Sequence, residues 1–331
     1  MEIDGNIKHL FVINPKSFYR KTKQNQIVAR IHQFFKNIGS SNYEIYVSHF
    51  PRDAVSFIPI FAAALPETTT LRVYAVGGDG ILYDCLNGIM GLKNAELGAI
   101  PYGYTNNFIQ GFEKSDRVLF KQLSNQYNAP AVPMDVMRCG NNYALSYCII
   151  GLEAEAVRQA EKLREQMIKS NPLNKWLSRN FYTLLYFIGG LSASSDKLLY
   201  NQRYEVTVDG EQFHGNYQGL SIFNGAYYGG HLHPISSAMP NDGILDMFNI
   251  KIPGPFITYC IYPFYESGHY KMFPLNFSLR QGKKIVIHSD DIILISMDGI
   301  VFYEPELEIE LLPGALKFID ASIHGYKGVR R

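Results

Sequence analysis

The chain has 331 residues, 47% hydrophobic and 18% charged, with 31 basic against 30 acidic side chains. That length exceeds one ordinary core and favours two domains. The composition excludes extensive disorder, and a net charge of +1 supplies no field to recruit nucleic acid. Cys85, Cys139, Cys148 and Cys260 form no CxxC pair, so neither a zinc cage nor a disulfide framework is expected and a reducing cytoplasm is the simplest setting. The start, MEIDGNIKHLFVINP, lacks the basic opening and long apolar core of a secretory signal. No stretch approaches the roughly 20 apolar residues of a spanning helix.

Lys8 to Asn14 is a short apolar run stopped by Pro15, which predicts a buried strand. Ile27, Ile31, Phe34 and Phe35 recur at helical spacing over 21–38, and Tyr43 to Val47 alternates as a second strand. Asp53 to Leu65 resembles a helix. Leu71 to Val76 is a third strand running into Gly77-Gly78-Asp79-Gly80, with helical periodicity resuming at Ile81 and a fourth strand at Leu97 to Pro101. The first 130 residues therefore alternate as α/β units around an open, largely parallel sheet.

After Pro130 and Pro133 the pattern changes to strands separated by turn residues: 134–138, 143–150, 204–208, 219–224, 244–250, 277–280, 284–288 and 292–297. This predicts a sandwich-like second domain over 131–311, with a helical insertion over 153–193 that breaks at Asn171-Pro172. Residues 312–331 are assigned to the first domain. The apolar stretch from Trp176 to Leu191 has core or inter-domain packing as its simpler account and a membrane-facing surface as its alternative.

A strand ending in Gly-Gly-Asp-Gly and opening a helix lets phosphate oxygens approach the backbone and meet unpaired N–H groups. Asp79 in that turn cannot itself attract phosphate, so it is expected to brace the loop or touch a metal indirectly. The residues around it resemble the diacylglycerol kinase and sphingosine kinase superfamily, in particular its bacterial lipid kinases. Asn14-Pro15-Lys16-Ser17 is similar to the family's first-strand NPxSG loop, and Val76 to Ile81 to its GGDGT loop. Gly98 to Phe108 resembles its G-x-x-P-x-G-T-x-N-D-F segment. Met134-Asp135-Val136, Gly151 to Ala154, Asn224-Gly225, Gly229-Gly230, Pro240 to Asp246, Asp298-Gly299 and Leu312 to Leu316 resemble its later motifs, in the same order. NAD kinases and phosphofructokinases share the glycine turn and the α/β fold.

The resemblance implies an interdomain cleft holding ATP, a requirement for Mg²⁺, and transfer of the γ-phosphoryl to a lipid hydroxyl. It implies nucleotide contacts from Asn14, Pro15, Lys16, Ser17, Ser48, Gly77, Gly78, Asp79, Gly80, Ile81, Asp84, Tyr104 and Asn106. Asp242 would bind the metal with the Met239 and Ile244 carbonyls, since Mg²⁺ prefers hard oxygen ligands, and Asp298, with Asp79, would serve catalysis. The expected partners are a lipid substrate, a membrane surface approached peripherally and a second copy of the chain. Asp242, Asp246 and Asp298-Gly299 are also ordinary turn residues.

Several positions depart from the family pattern. Ile81 replaces a threonine, Asn107 an aspartate, Ile300 the glutamate of a DGE motif, a candidate general base, and Phe18 the glycine of the first loop, where it is expected to crowd the phosphates. Tyr104-Thr105 stands where the family has threonine and then often glycine, and a β-branched Thr105 resists any positive φ required there. Two functions follow: an ATP-dependent lipid kinase, or a catalytically degenerate relative that binds nucleotide or lipid without turnover.

Overall fold

A computed structural model of the chain describes residues 6–18, 21–103, 105–170, 182–194, 202–252 and 254–328. The chain forms two compact units, one of Met1–Met134 with Gly314–Tyr326 and the other of Asp135–Pro313 with Lys327–Arg331. Sequence had put the divisions at 130/131 and 311/312.

In the first unit β1 (Ile7–Ile13) is followed by α1 (Lys21–Asn37), β2 (Tyr43–Val47), α2 (Asp53–Ala63), β3 (Thr70–Gly77), α3 (Asp79–Ile89) and β4 (Ala95–Pro101). The strands pair in parallel in the order β2-β1-β3-β4. Ile27, Ile31 and Phe35, one turn apart on α1, are its buried residues. α3 is apolar nearly all round, and Ile81, Leu82, Tyr83, Cys85, Leu86 and Ile89 are all buried, as an enclosed helix requires. It packs closely on α2 because Gly88 has no side chain: a Cβ there would stand 2.9 Å from Ile58 Cδ1 and 3.0 Å from the Ala54 carbonyl.

Short helices α4 (Asn107–Gln110) and α5 (Leu123–Asn128) complete this part of the chain. The C-terminal segment returns to the same unit, with Phe318 beside Leu97 of β4 in parallel register. Its end is fastened by Asp116, 1% exposed, whose Oδ2 accepts the Ile323 and His324 amides at 3.0 and 2.9 Å and faces His324 Nδ1 at 3.1 Å.

The second unit is reached along β5 (Ala131–Cys139), which turns into β6 (Asn142–Ala144); β7 (Tyr147–Gly151), α6 (Leu152–Ser170) and α7 (Tyr182–Ser194) follow. Then come β8 (Arg203–Val208), β9 (Glu211–Asn216), β10 (Gly219–Phe223), β11 (Leu245–Ile250), α8 (Pro255–Glu266), β12 (Phe277–Gly282), β13 (Lys284–Met297) and β14 (Ile300–Ile319). Antiparallel pairing runs β12-β11-β10-β7-β13, and β13 also pairs with β14 and with the β8–β9 hairpin. α6 and α7 approach closely through small residues: a Cβ on Gly189 would lie 2.5 Å from the Ala156 carbonyl.

The structure corrects several sequence expectations here. The single strand expected over 143–150 is two, β6 and β7, parted at Leu145 and Ser146, whose amides bond to the Asp298 carboxylate. The two strands expected over 284–297 are one, β13, with a register shift between His288 and Ile293. β9 (EQFHGN) carries no buried apolar face, and α8 is apolar with Pro263 inside it; neither presents a clean period to recognise. Trp176 and Phe181 lie outside the described residues. Of the nearby positions, Leu185 and Tyr186 are buried while Leu184 and Ile188 are exposed.

Replacing Asp116 by Ala should cost about 2–3 kcal/mol, since it leaves two amides of the returning segment without their acceptor. Urea unfolding checks the loss, and amide exchange at Ile323 and His324 should quicken.

Candidate active site

A parallel sheet offers a ligand site where neighbouring strands connect in opposite directions, beyond their carboxyl ends. In the first unit that point lies between β1 and β3, because the chain goes from β1 to β2 on one side and resumes at β3 on the other. The loops leaving both strands carry the predicted nucleotide residues. The Asn14 amide bonds to Val76 O at 3.2 Å. Asn14 Oδ1 accepts the Lys16 amide at 2.9 Å and caps the single 3-10 turn Pro15–Ser17, leaving Lys16 exposed. Ser48 joins the same edge through its amide, 2.9 Å from Ile13 O.

The glycine turn is closed by a second loop. Gly77 O accepts the amides of Tyr102 and Gly103 at 2.7 and 2.8 Å, which presses Gly103 against Gly78. A Cβ on Gly103 would meet Gly78 Cα at 2.2 Å, one on Gly78 would meet Gly103 Cα at 2.9 Å, and one on Gly77 would meet Ser17 Oγ and Ile81 Cγ2 at 2.7 Å. A Cβ on Gly80 would find open space. α3 starts at Gly78 with no side-chain cap, so its first amides are available to an anion.

Asp79 braces that second loop. Its carboxylate accepts the Thr105 hydroxyl and, at 3.3 Å, Asn107 Nδ2. Burial raises its pKa to about 6 against the lowering effect of these donors and of nearby amides. The two departures at 105 and 107 are therefore matched: an aspartate at 107 would place a second negative charge against Asp79, whereas Asn107 donates to it. Among the described residues of the loop Asn106 is left-handed (φ 49) and Thr105 is not, and asparagine tolerates that conformation. Asn106 spans the turn, accepting from Gly103 N at 3.2 Å and donating to Gly103 O at 3.1 Å. Tyr104 lies outside the described residues.

Three expectations change. Ile81, taken as a nucleotide contact, is 1% exposed with its side chain in the core, so only its backbone remains for that role. Phe18, expected to crowd phosphates, is buried with its ring 5.2 Å from that of Tyr102. Asp84 is a buried side chain whose Oδ2 accepts the Arg52 amide at 3.2 Å; burial is the main cause that raises its pKa to about 6, and neighbouring Asp53 adds to it. Asp53 Oδ1 and Asp84 Oδ1 are both buried without a hydrogen-bond partner.

In the second unit Asp298 and Gly299 form the two-residue turn between β13 and β14, with φ of 44° and 88°, as a hairpin of this length requires. Asp298 is 7% exposed, and its carboxylate accepts the amides of Leu145, Ser146 and Tyr147 at 2.7, 3.0 and 3.0 Å. Its expected role as the acid beside the acceptor is narrowed accordingly: the carboxylate holds a chain segment in place. Asp242 sits in the exposed turn before β11, accepting the Ile244 amide at 3.1 Å. Desolvation, with the nearby charge of Asp135, raises its pKa, and Asp242 in turn contributes to raising Asp246.

Two residues that sequence reasoning left out of the site connect these turns. Asp135 accepts the Gly243 amide at 2.8 Å. Asn224, fully buried, donates to the carbonyls of Asp135 and Leu145 at 3.0 and 2.8 Å. Both stand in motifs already visible, Met134-Asp135-Val136 and Asn224-Gly225, but no spacing rule reveals that one amide bridges them.

Two substitutions test this geometry. Gly103→Ala should destabilise the protein by about 3 kcal/mol, because its methyl meets backbone and no rotamer relieves it; thermal unfolding reads the loss. Asp84 has a folded pKa of about 6 against 3.8 when unperturbed. The folded state therefore holds its proton more tightly, and stability present below the lower value is lost as pH rises through the higher one. Asp84→Asn should be more stable than the parent by about 2 kcal/mol at pH 7.5 and show no gain at pH 4, in urea titrations at both values.

The catalytic domain of diacylglycerol kinases matches residues 8–139, and the YegS C-terminal NAD kinase beta sandwich-like domain matches residues 175–320. A "Putative lipid kinase" of Staphylococcus aureus (strain JH9) is 25% identical over 252 residues, 75% of this chain and 76% of its own length. A counterpart of the same description in Staphylococcus haemolyticus (strain JCSC1435) is 26% identical over 252 residues, 75% of each chain. The crystal structure of a "putative diacylglycerol kinase" from Bacillus anthracis str. Sterne superposes with a TM-score of 0.68 at 22% identity, covering 95% of this chain and 97% of that one. Another from the same strain gives 0.66 at 21%, covering 94% and 96%, a likeness of fold. With both matching domains in sequence along one polypeptide, the protein is a member of the diacylglycerol kinase-like family of lipid kinases.

Proposed function

We propose that the protein is an ATP-dependent lipid kinase that moves the γ-phosphoryl of ATP to a hydroxyl of diacylglycerol or a related lipid. The observation that carries this reading is the uncapped start of α3, opened by Gly78 and left uncovered at Gly80, beside the exposed Lys16 at the switch point of a parallel sheet. Backbone amides there can accept phosphate oxygens, and Lys16 supplies a point charge for them. Ser48 and Asn106, on the loops at the same edge, are the contacts for the rest of the nucleotide in this reading.

Phosphoryl transfer depends mainly on holding the reactants in line and neutralising charge. In this reading the clamp made by Asp298 on residues 145–147 fixes the backbone that orients the acceptor. The residues of the 239–244 turn suit Mg²⁺ in kind: the donors are hard oxygens, and Asp135, Asp242 and Asp246 place excess negative charge together. Among the described residues no three acidic, histidine or cysteine side chains converge as a metal cage, so Asp242 would hold the ion with the Met239 and Ile244 carbonyls and water. Bound Mg²⁺ would supply charge neutralisation to the phosphates. No helix among the described residues is long and apolar enough to cross a membrane.

The second reading, nucleotide binding without turnover, draws on Ile300, which sets an apolar side chain where the family carries a candidate base. Labelled ATP with Mg²⁺ and a panel of diacylglycerols, sphingoid bases and phospholipids separates the two. Labelled lipid is the expected product, and Asp298→Ala should abolish it while leaving ATP-dependent thermal stabilisation intact. Lys16→Ala should weaken ATP binding about tenfold in calorimetry without lowering stability. ATP uptake with no labelled lipid from any acceptor would favour the second reading, and no uptake of ATP would sink both.

A further inference from the structure

Within the second unit two carboxylates are sealed in an apolar core. Glu153 opens α6 and is 1% exposed; Glu266 closes α8 and is 3% exposed. Tyr147, Ile149, Tyr228, Phe248, Tyr265 and Phe277 are among the side chains of this core. Glu153 accepts the hydroxyls of Tyr228, at 2.6 Å, and of Ser221. Glu266 differs: neither of its oxygens has a hydrogen-bond partner. The hydroxyls of Tyr262 and Tyr265, on the same helix, are buried close to the Glu153 carboxylate and favour its ionised form, their rings 5.2 Å apart.

Native proteins satisfy the large majority of buried polar atoms, and a buried charge is costly unless paired. Two partnerless carboxylate oxygens on Glu266, beside the well-partnered Glu153, are therefore a local deficit. Among the described residues neither glutamate forms an ion pair with a lysine, arginine or histidine. Burial, and then the charge of Glu153, pushes the Glu266 carboxyl well above the ordinary carboxylate range. Burial raises the Glu153 carboxyl as well, and two acids this close resist ionising together, so the pair carries at most one negative charge.

We infer that this cluster of buried acids and phenols is a binding site for one singly charged cation, held by Glu266 and Glu153 with the phenol oxygens of Tyr262 and Tyr265. The donors are all oxygen, and the charge to be met is at most one. A divalent ion is disfavoured on the same count, since a third acidic, histidine or cysteine ligand is lacking among the described residues. A free alkali or ammonium ion and the ammonium head of a larger ligand share this chemistry, and neither depends on the kinase reading.

Thermal unfolding of the full chain in potassium, sodium, ammonium or choline chloride at equal ionic strength tests it, with a long-chain primary amine as a separate arm. A small cation should raise the midpoint by about 5 °C over choline at saturation; a rise with the alkylamine alone would assign the site to a ligand's head group. Glu266→Gln should erase the difference. Tyr265→Phe, which keeps the ring packing, should raise the half-saturating concentration about tenfold and stands in if Glu266→Gln does not fold. Equal midpoints in all salts with no effect of the amine overturn the inference, as does either variant that keeps the full parental response.

Discussion

Two glycine Cα atoms, at 78 and 103, are pressed together so closely that neither residue can carry a side chain. The contact is drawn tight by Gly77 O, which accepts two successive amides from the facing loop. Much at the carboxyl edge of the first unit follows from it. With the loop after β4 folded onto the turn after β3, Asp79 can reach Thr105 and Asn107, Asn106 can close the loop on Gly103, and α3 starts without a side-chain cap. A phosphate site made of backbone needs this economy of side chains, because amides reach an anion only where nothing projects between.

The departures from the family pattern look different once their surroundings are known. Taken singly, Thr105 and Asn107 subtract a small residue and a carboxylate. Taken together they turn toward Asp79 as hydrogen-bond donors, and the Thr105 hydroxyl opposes the rise in pKa that burial imposes on it. Ile81 gives up a hydroxyl but gains the core, and Phe18 packs on Tyr102. Ile300 replaces a carboxylate with an aliphatic side chain, which cannot take a proton.

In the second unit the organising element is polar and buried. Asn224 ties the segment bearing Asp135 to the segment that Asp298 clamps. The turns at 242–244 and 298–299 are thus linked by a chain of hydrogen bonds through a single amide. Such networks act as a unit in a low-dielectric interior. The buried Glu153 is joined to this network: Tyr147, whose amide bonds to Asp298, packs its ring 5.7 Å from that of Tyr228, which donates to Glu153.

The sequence by itself determined the division into an α/β part and a β-rich part, the strand and helix order up to Pro101, and the glycine turn with its flanking motifs. These are encoded by local periodicity and by residues whose conformational demands are their own, such as Gly77-Gly78 and Asp298-Gly299. Tertiary structure decided what those residues touch. Whether Asp298 faces a substrate or three amides, whether Thr105 distorts its loop or braces Asp79, and whether Glu153 ends up beside Glu266 all depend on segments brought together from far apart in the chain. β9 and α8 escaped notice for a related reason: their stability comes from neighbours, β8 in one case and the aromatic core in the other, and contacts between distant segments leave no period in the sequence.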